Sequence, residues 1–129
     1  MINFIIKDEI SFNIAIAQIR SYLITLKCSE VVIAKILTTT SELARNILKY
    51  AIQGKIFVNH IKKGLKEGIE IISIDKGPGI EDIEKALSDN YSSSGTLGMG
   101  LPGAKRMMDE LKVTSAKGKG TTVKALLWF

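Results

Sequence analysis

The first residues along this chain that could do chemistry lie in a polar stretch flanked by apolar residues. Glu42, Asn46 and Lys49 are spaced i, i+4 and i+7, which at about 100° per residue places them on one side of a helix. The amide oxygen of Asn46 is a hard ligand suited to Mg²⁺, and the Glu42 carboxylate could take the proton of an attacking hydroxyl. The alternative is a solvated helix face on which Glu42 pairs with Arg45, and Asn46 with Lys49.

A second polar segment follows an isoleucine-rich run and reads Asp75-Lys-Gly77-Pro-Gly79. A carboxylate at the end of a central strand lies at the mouth of the sheet, where it can accept a hydrogen bond from an amine such as adenine N6. Gly77 and Gly79 lack side chains, so that a ring can lie against their backbone. Taken alone, the same residues are typical of an ordinary loop.

Two glycine segments complete the set. The run from Gly95 to Gly100 leads into a helix that begins near Leu101, and the unpaired amides and dipole of a helix start favour phosphate. The segment Gly118–Thr122 predicts a hairpin turn, from which Thr121 could face a nucleotide. Neither segment matches a Walker or Rossmann fingerprint, and each alone is a plain glycine loop or turn. In this order, however, the four segments predict a nucleotide pocket with an adenine acceptor, a phosphate cradle and a magnesium ligand.

The elements that must position these segments follow from hydrophobic spacing. Apolar residues recur at helical intervals from Phe12 to Leu26 and from Ile33 to Tyr50, which predicts two amphipathic helices. Shorter helices are expected at Ile80–Leu87 and from Pro102 to Leu111, on either side of a mobile loop, Ser88–Gly100. Strands are predicted at Asn3–Lys7 on the edge, Lys55–Lys62, Ile69–Asp75 in the centre, Val113–Ser115 and Thr121–Phe129. Because helices do not alternate singly with strands, we expect an α/β sandwich: one mixed sheet with helices on one face.

Length and composition indicate one globular domain over residues 1–129, since the chain has 46% hydrophobic residues and a net charge of +5. The lysines are scattered without interleaved aromatic residues, so nucleic acid is not an expected partner. No apolar run reaches about 18 residues and no signal-peptide pattern is visible, so we expect a cytoplasmic protein without a membrane partner. Cys28 is expected to be a small buried residue, and His60 a strand residue satisfied by its neighbours.

The four segments together resemble the motif boxes of the GHKL superfamily, which includes gyrase-type ATPases, histidine-kinase catalytic domains and MutL. Glu42-Leu-Ala-Arg45-Asn46 is similar to the N box, and Asp75–Gly79 to the G1 box. Gly95–Gly100 is similar to the G2 box, and Gly118–Thr121 to the last glycine-rich segment. The resemblance covers the chain from about residue 30 to the end. It implies a Bergerat ATP-binding fold with a mobile ATP lid, ATP and Mg²⁺ as cofactors, Asn46 as the metal ligand and Glu42 as the catalytic base.

Within that superfamily the chain is similar to small bacterial serine kinases that regulate sigma factors, and most of all to the switch kinases of stressosomes. This likeness implies a STAS-domain protein as substrate and a PP2C-type phosphatase, or its regulatory domain, as a second partner. The alternatives are an anti-sigma factor kinase and a nucleotide-dependent binding switch with negligible catalysis, and the oligomeric state stays open. The residues predicted to contact the nucleotide are Arg45, Lys49, Asp75, Gly77, Gly79, Ser94, Gly95, Thr96, Gly98, Met99, Gly100, Leu101 and Thr121.

Overall fold

The computed structural model of the protein describes residues 1–77 and 100–129. The predicted helix Ile80–Leu87 and the predicted lid Ser88–Gly100, except Gly100 itself, lie outside the described residues. The elements are β1 (Ile2–Ile6), α1 (Glu9–Thr25), α2 (Glu30–Tyr50), β2 (Gly54–Lys63), β3 (Lys66–Asp75), α3 (Leu101–Met107), β4 (Glu110–Ser115) and β5 (Thr121–Trp128). None of the helices in these two ranges combines the length and hydropathy that a membrane span requires.

Both long helices begin at side-chain caps. Asp8 Oδ1 accepts a hydrogen bond from the Ser11 amide at 2.7 Å, and Ser11 Oγ accepts one from the Asp8 amide at 3.1 Å, which is a capping box. The hydrogen bond from the Ser11 backbone lowers the pKa of Asp8 below its ordinary value, because it favours the carboxylate. At the start of α2, Ser29 Oγ accepts from the Val32 amide at 3.2 Å. These caps fix where α1 and α2 begin.

The five strands form one sheet in the order β1-β2-β3-β5-β4. The predictions of an edge strand at the start of the chain and of a central position for β3 are therefore confirmed. The prediction of a mixed sheet was wrong, because all four strand pairings are antiparallel. The physical reason is that two helices, rather than one crossover helix, connect β1 to β2. The chain reverses direction three times, from β1 to α1, from α1 to α2 and from α2 to β2, so β2 runs antiparallel to β1.

The core lies between one face of the sheet and the helices. Alternation along the strands directs every second side chain to the helix side, and the register between β2, β3 and β5 aligns these residues in rows. The buried apolar strand residues are Ile6, Ile56, Val58, Ile69, Ile71, Val123, Ala125 and Leu127, and they share one core with helix residues that include Ala15, Ile19 and Leu23 of α1 and Ile33, Ile36, Leu43 and Ile47 of α2. The α/β sandwich with helices on one face is confirmed.

Two predictions about the helices were wrong, the burial of Tyr50 and the end of the last helix. Tyr50 was predicted in the buried stripe of α2 but is 42% exposed, because the stripe leaves the core at Ile47. The last helix ends at Met107 rather than Leu111, since Leu111 pairs with Ala125 in the sheet.

Cys28 is half-buried rather than buried, and this partial burial raises the pKa of its thiol, with Glu67 as a second cause. His60 Nε2 lies 3.1 Å from Glu67 Oε1, so the histidine is satisfied by a neighbour as expected.

Candidate nucleotide site

The second half of α2 lies over one end of the sheet and brings the first polar segment to the second. A methyl group on Gly54 would come within 2.9 Å of Ile47 Cδ1 and 2.7 Å of the Ile74 carbonyl oxygen. Only glycine therefore permits this approach of α2 to the start of β2. Gly54 is also the register partner of Asp75. Asn46, which precedes Ile47 and is half-buried, is thus on the turn of α2 that covers the Asp75 end of the sheet.

Asp75 ends β3 with one carboxylate oxygen already engaged. Its Oδ1 accepts a hydrogen bond from the Gly77 amide at 2.8 Å, and Oδ2 takes none from the described residues. A methyl group on Gly77 would lie 2.7 Å from the Tyr50 carbonyl oxygen and 3.1 Å from Ala51 Cβ. The turn after β3 is therefore packed against the last residues of α2. This arrangement fixes the orientation of the carboxylate and leaves Oδ2 for an outside donor.

The turn before β5 closes the site on the other side of Asp75. Thr121 is the register partner of Asp75, and its Oγ1 lies 2.9 Å from Ser115 Oγ, which also donates to the Gly120 carbonyl at 2.9 Å. Gly120 has a φ of 79°, and a methyl group there would overlap the Asp75 carbonyl oxygen. Sequence reasoning missed Ser115. Its only signal is its position at the end of β4, facing the same side of the sheet as Thr121.

The charged side chains near Asn46 on α2 contact other protein groups. Arg45 Nη1 lies 2.9 Å from Glu42 Oε1, and the Arg45 guanidinium carbon is 5.7 Å from the ring centroid of Phe12 on α1. Lys49 Nζ lies 5.6 Å from the ring centroid of Tyr50. The pairing of Glu42 with Arg45, considered above as the alternative to a catalytic role, is thus present. Both predicted cationic contacts to the nucleotide are engaged with aromatic rings of the protein.

The glycine loop enters the described structure only at its end. Gly100 is the N-cap of α3 and is half-buried, and the side chain of Leu101 is buried in the core, which leaves its backbone for a ligand. The remaining predicted contacts lie outside the described residues: Gly79, Ser94, Gly95, Thr96, Gly98 and Met99. The described part of the site therefore consists of α2, the end of β3, the turn before β5 and the start of α3.

These residues fit a nucleotide with its metal. The Oδ2 atom of Asp75 suits an exocyclic amine, and the two residues packed against Asp75, Gly77 and Gly120, carry no side chains of their own. The Asn46 side chain offers an amide oxygen, a ligand type that Mg²⁺ accepts.

An antiparallel sheet with helices on one face, and an acidic strand end beside a helical asparagine, are features of an ATPase domain. The family model for histidine kinase-, DNA gyrase B- and HSP90-like ATPases matches residues 32–129, and the chain belongs to this family. The resemblance to the GHKL superfamily stated above is confirmed.

Among curated relatives, the chain is 50% identical over 95 residues to the serine/threonine-protein kinase RsbT of Bacillus subtilis, covering 74% of this chain and 71% of that protein. It is 41% identical over 98 residues to an anti-sigma F factor of Thermoanaerobacter sp., covering 71% and 67%. Among solved structures, the mycobacterial sensor histidine kinase MprB matches with a TM-score of 0.56 and 21% identity, over 74% of this chain and 70% of that one. That last likeness supports the fold alone.

Proposed function

We propose that this chain is a protein serine/threonine kinase that uses ATP and Mg²⁺ to phosphorylate a STAS-domain protein of a stressosome. We further propose that it works as one domain over residues 1–129 in the cytoplasm, and that after release from its substrate it binds and activates a PP2C-type phosphatase. The 50% identity to RsbT supports the kinase assignment. The observation that carries it in the structure is the shielded carboxylate of Glu42, 12% exposed, one turn before Asn46 on the helix that covers Asp75.

In this proposal each residue of the site has a separate task. Asp75 accepts the adenine amine through Oδ2, while its Oδ1 stays bonded to the Gly77 amide. Asn46 holds the metal, which when bound neutralises phosphate charge. Glu42 takes the proton of the substrate's serine or threonine hydroxyl. The hydroxyl oxygen forms the new bond to the γ-phosphorus, and the bond between that phosphorus and the ADP oxygen breaks. Gly100 supplies the described end of the phosphate-binding backbone.

Two other functions each rest on a specific observation. The identity to anti-sigma F factors supports an anti-sigma factor kinase with a sigma factor as its bound partner. The contact between Glu42 and Arg45 supports a binding switch with negligible catalysis, since a carboxylate engaged in a salt bridge needs no catalytic role to explain it. The higher identity to the kinase and the shielding of Glu42 favour the first function.

Transfer of labelled γ-phosphate from ATP to a STAS-domain protein tests the proposal, with pull-down of a sigma factor as the competing assay. Glu42→Gln should keep ATP affinity and lose transfer by about two to four orders of magnitude, the usual contribution of a positioned base. Glu70→Gln is the matched control, because Glu70 is also half-buried and contacts Asn59 and Lys124, but on the opposite face of the sheet.

Unchanged transfer by the Glu42→Gln protein would remove the catalytic base from the proposal. Capture of a sigma factor together with absence of transfer to the STAS-domain protein would support the anti-sigma alternative. ATP binding by the wild-type chain without transfer to either protein would support the binding switch.

A further inference from the structure

A guanidinium on α2 connects the proposed catalytic base to α1. Arg45 contacts Glu42 on its own helix at 2.9 Å and the ring of Phe12 at 5.7 Å from its centroid. Phe12 belongs to the first turn of α1, where its amide donates to the Asp8 carbonyl, and its half-buried side chain packs against the core. The capping box of Asp8 and Ser11 fixes this turn. The chain of contacts therefore runs from the start of α1 through Phe12 and Arg45 to Glu42.

The two partners of the salt bridge differ in their exposure to water. The Glu42 side chain is 12% exposed and that of Arg45 is 59% exposed. Because the cation is well hydrated, the pair contributes little to the stability of the fold. The carboxylate, by contrast, is shielded and has few solvent contacts to hold it. A planar guanidinium that stacks on an aromatic ring loses less freedom when it binds a carboxylate, so it can hold that carboxylate in one orientation.

We propose that Arg45, held by the ring of Phe12, is a positioning residue for Glu42. This proposal rests on the proposed function, in which Glu42 takes the hydroxyl proton. Arg45 then acts on the phosphoryl-transfer step through Glu42 and has no direct contact with ATP. The sequence-based prediction assigned Arg45 to the nucleotide instead. The two assignments differ in the measured quantity, since a nucleotide contact changes ATP affinity whereas a positioning residue changes kcat.

The experiment measures kcat for transfer to a STAS-domain protein, together with ATP affinity by calorimetry, in the full chain. Arg45→Gln should lower kcat by about ten- to a hundred-fold, the upper figure being the cost of misplacing a reacting group by about 1 Å, and leave ATP affinity unchanged. Arg45→Lys should recover part of the rate, because an ammonium keeps the charge but lacks the planar fork. Phe12→Leu, which keeps apolar volume but removes the ring, should lower kcat about three-fold, with ATP affinity again unchanged.

The control is Arg20→Gln, since Arg20 is an arginine of similar exposure that pairs across α1 and α2 with Glu30, at 3.5 Å, and has no contact with Glu42. It should leave kcat unchanged. The decisive measurement is Arg45→Gln in the Glu42→Gln protein: if Arg45 acts only through Glu42, the second substitution adds no further loss of rate.

The failures of the two proposals are distinguishable. Wild-type transfer by Glu42→Gln, or no transfer by the wild-type chain, defeats the proposed function. A strong loss in Glu42→Gln with a normal rate in Arg45→Gln overturns the positioning role alone. A fall in the ATP affinity of Arg45→Gln with kcat unchanged also overturns it, and assigns Arg45 to the nucleotide. If the rate losses of Arg45→Gln and Glu42→Gln add in the double variant, the positioning role is also overturned.

Discussion

One hydroxyl in the middle of α2 is buried without a partner. Thr39 is fully buried, and its Oγ1 has no hydrogen-bond partner in the described part of the chain. The neighbouring Thr40 is equally buried, but its Oγ1 donates to the Ile36 carbonyl at 2.7 Å. An unsatisfied buried hydroxyl costs about 1–3 kcal/mol relative to one that is solvated or bonded. The two adjacent threonines thus form a natural pair for comparison.

Thr39→Val should raise the free energy of unfolding by about 1 kcal/mol, because valine has the same shape and removes the unpaired hydroxyl. Thr40→Val is the matched control and should leave this free energy unchanged or lower it by about 1 kcal/mol, since it loses a hydrogen bond. Urea denaturation with an unchanged m value measures both effects. Equal destabilisation by the two substitutions would show that the Thr39 hydroxyl is bonded in solution.

The sequence predicted which types of residue form the site better than it predicted which residues they contact. Asp75 and Thr121 were placed at strand ends by local patterns, and the structure pairs them in register. The sequence assigned Arg45 to the nucleotide and did not predict its contact with Phe12, because charge at a helix edge carries no information about the neighbouring helix. Its contact with Phe12 depends on how α1 packs on α2. Tyr50 was placed in the core because helical spacing indicates a face of the helix but not where that face leaves the core.

At the level of elements, the turn before β5 makes contacts that its local sequence pattern does not predict. The sequence predicted a glycine hairpin, and the structure confirms two glycines with positive φ, Gly118 at 78° and Gly120 at 79°. Only one of them approaches another element. A methyl group on Gly120 would come within 2.9 Å of Lys76 Cα and overlap the carbonyl of Asp75, whereas Gly118 has nothing within 4 Å.

Gly118→Ala and Gly120→Ala therefore separate backbone strain from contact with the site. Both should lose about 1 kcal/mol of stability from the positive φ. Gly120→Ala should lose more, and it should also weaken Mg·ATP binding, because backbone atoms at the end of β3 must shift to make room for the methyl group. Urea denaturation and calorimetric titration measure the two quantities. If both variants bind ATP equally well, the turn does not help to hold Asp75 in place.

For the whole molecule, the connections determine the direction of the strands, since a pair of helices joins β1 to β2 and short turns join β2 to β3 and β4 to β5. The sequence predicted the order of the described helices and strands and the α/β sandwich. It did not predict the antiparallel pairing throughout, because strand direction depends on how connections return over the sheet rather than on the pattern within a strand. The same arrangement makes the site a junction of α2, β3 and the turn before β5. A ligand there would contact both the helix layer and the sheet.

Nucleotide binding at this junction should therefore stabilise the entire domain. At a free ATP concentration about 100-fold above Kd, with excess Mg²⁺, the free energy of unfolding should rise by about 2.7 kcal/mol. Asn46→Ala should remove the part of this gain that depends on Mg²⁺, since it deletes the proposed metal ligand. Asp75→Asn should reduce the difference between ATP and GTP, because an amide can donate to the guanine carbonyl where a carboxylate only accepts.

Denaturation of the three proteins with ATP or GTP, and with Mg²⁺ or a chelator, measures these effects in one series. The Thr39→Val protein is the control for a change in intrinsic stability, because its substitution lies in the core and its gain from Mg·ATP should equal that of the wild type. A gain in Asn46→Ala as large and as Mg²⁺-dependent as in the wild type would exclude Asn46 as the metal ligand. An unchanged preference for ATP over GTP in Asp75→Asn would show that Asp75 does not recognise the base, and the adenine pocket would then have to lie elsewhere on the sheet.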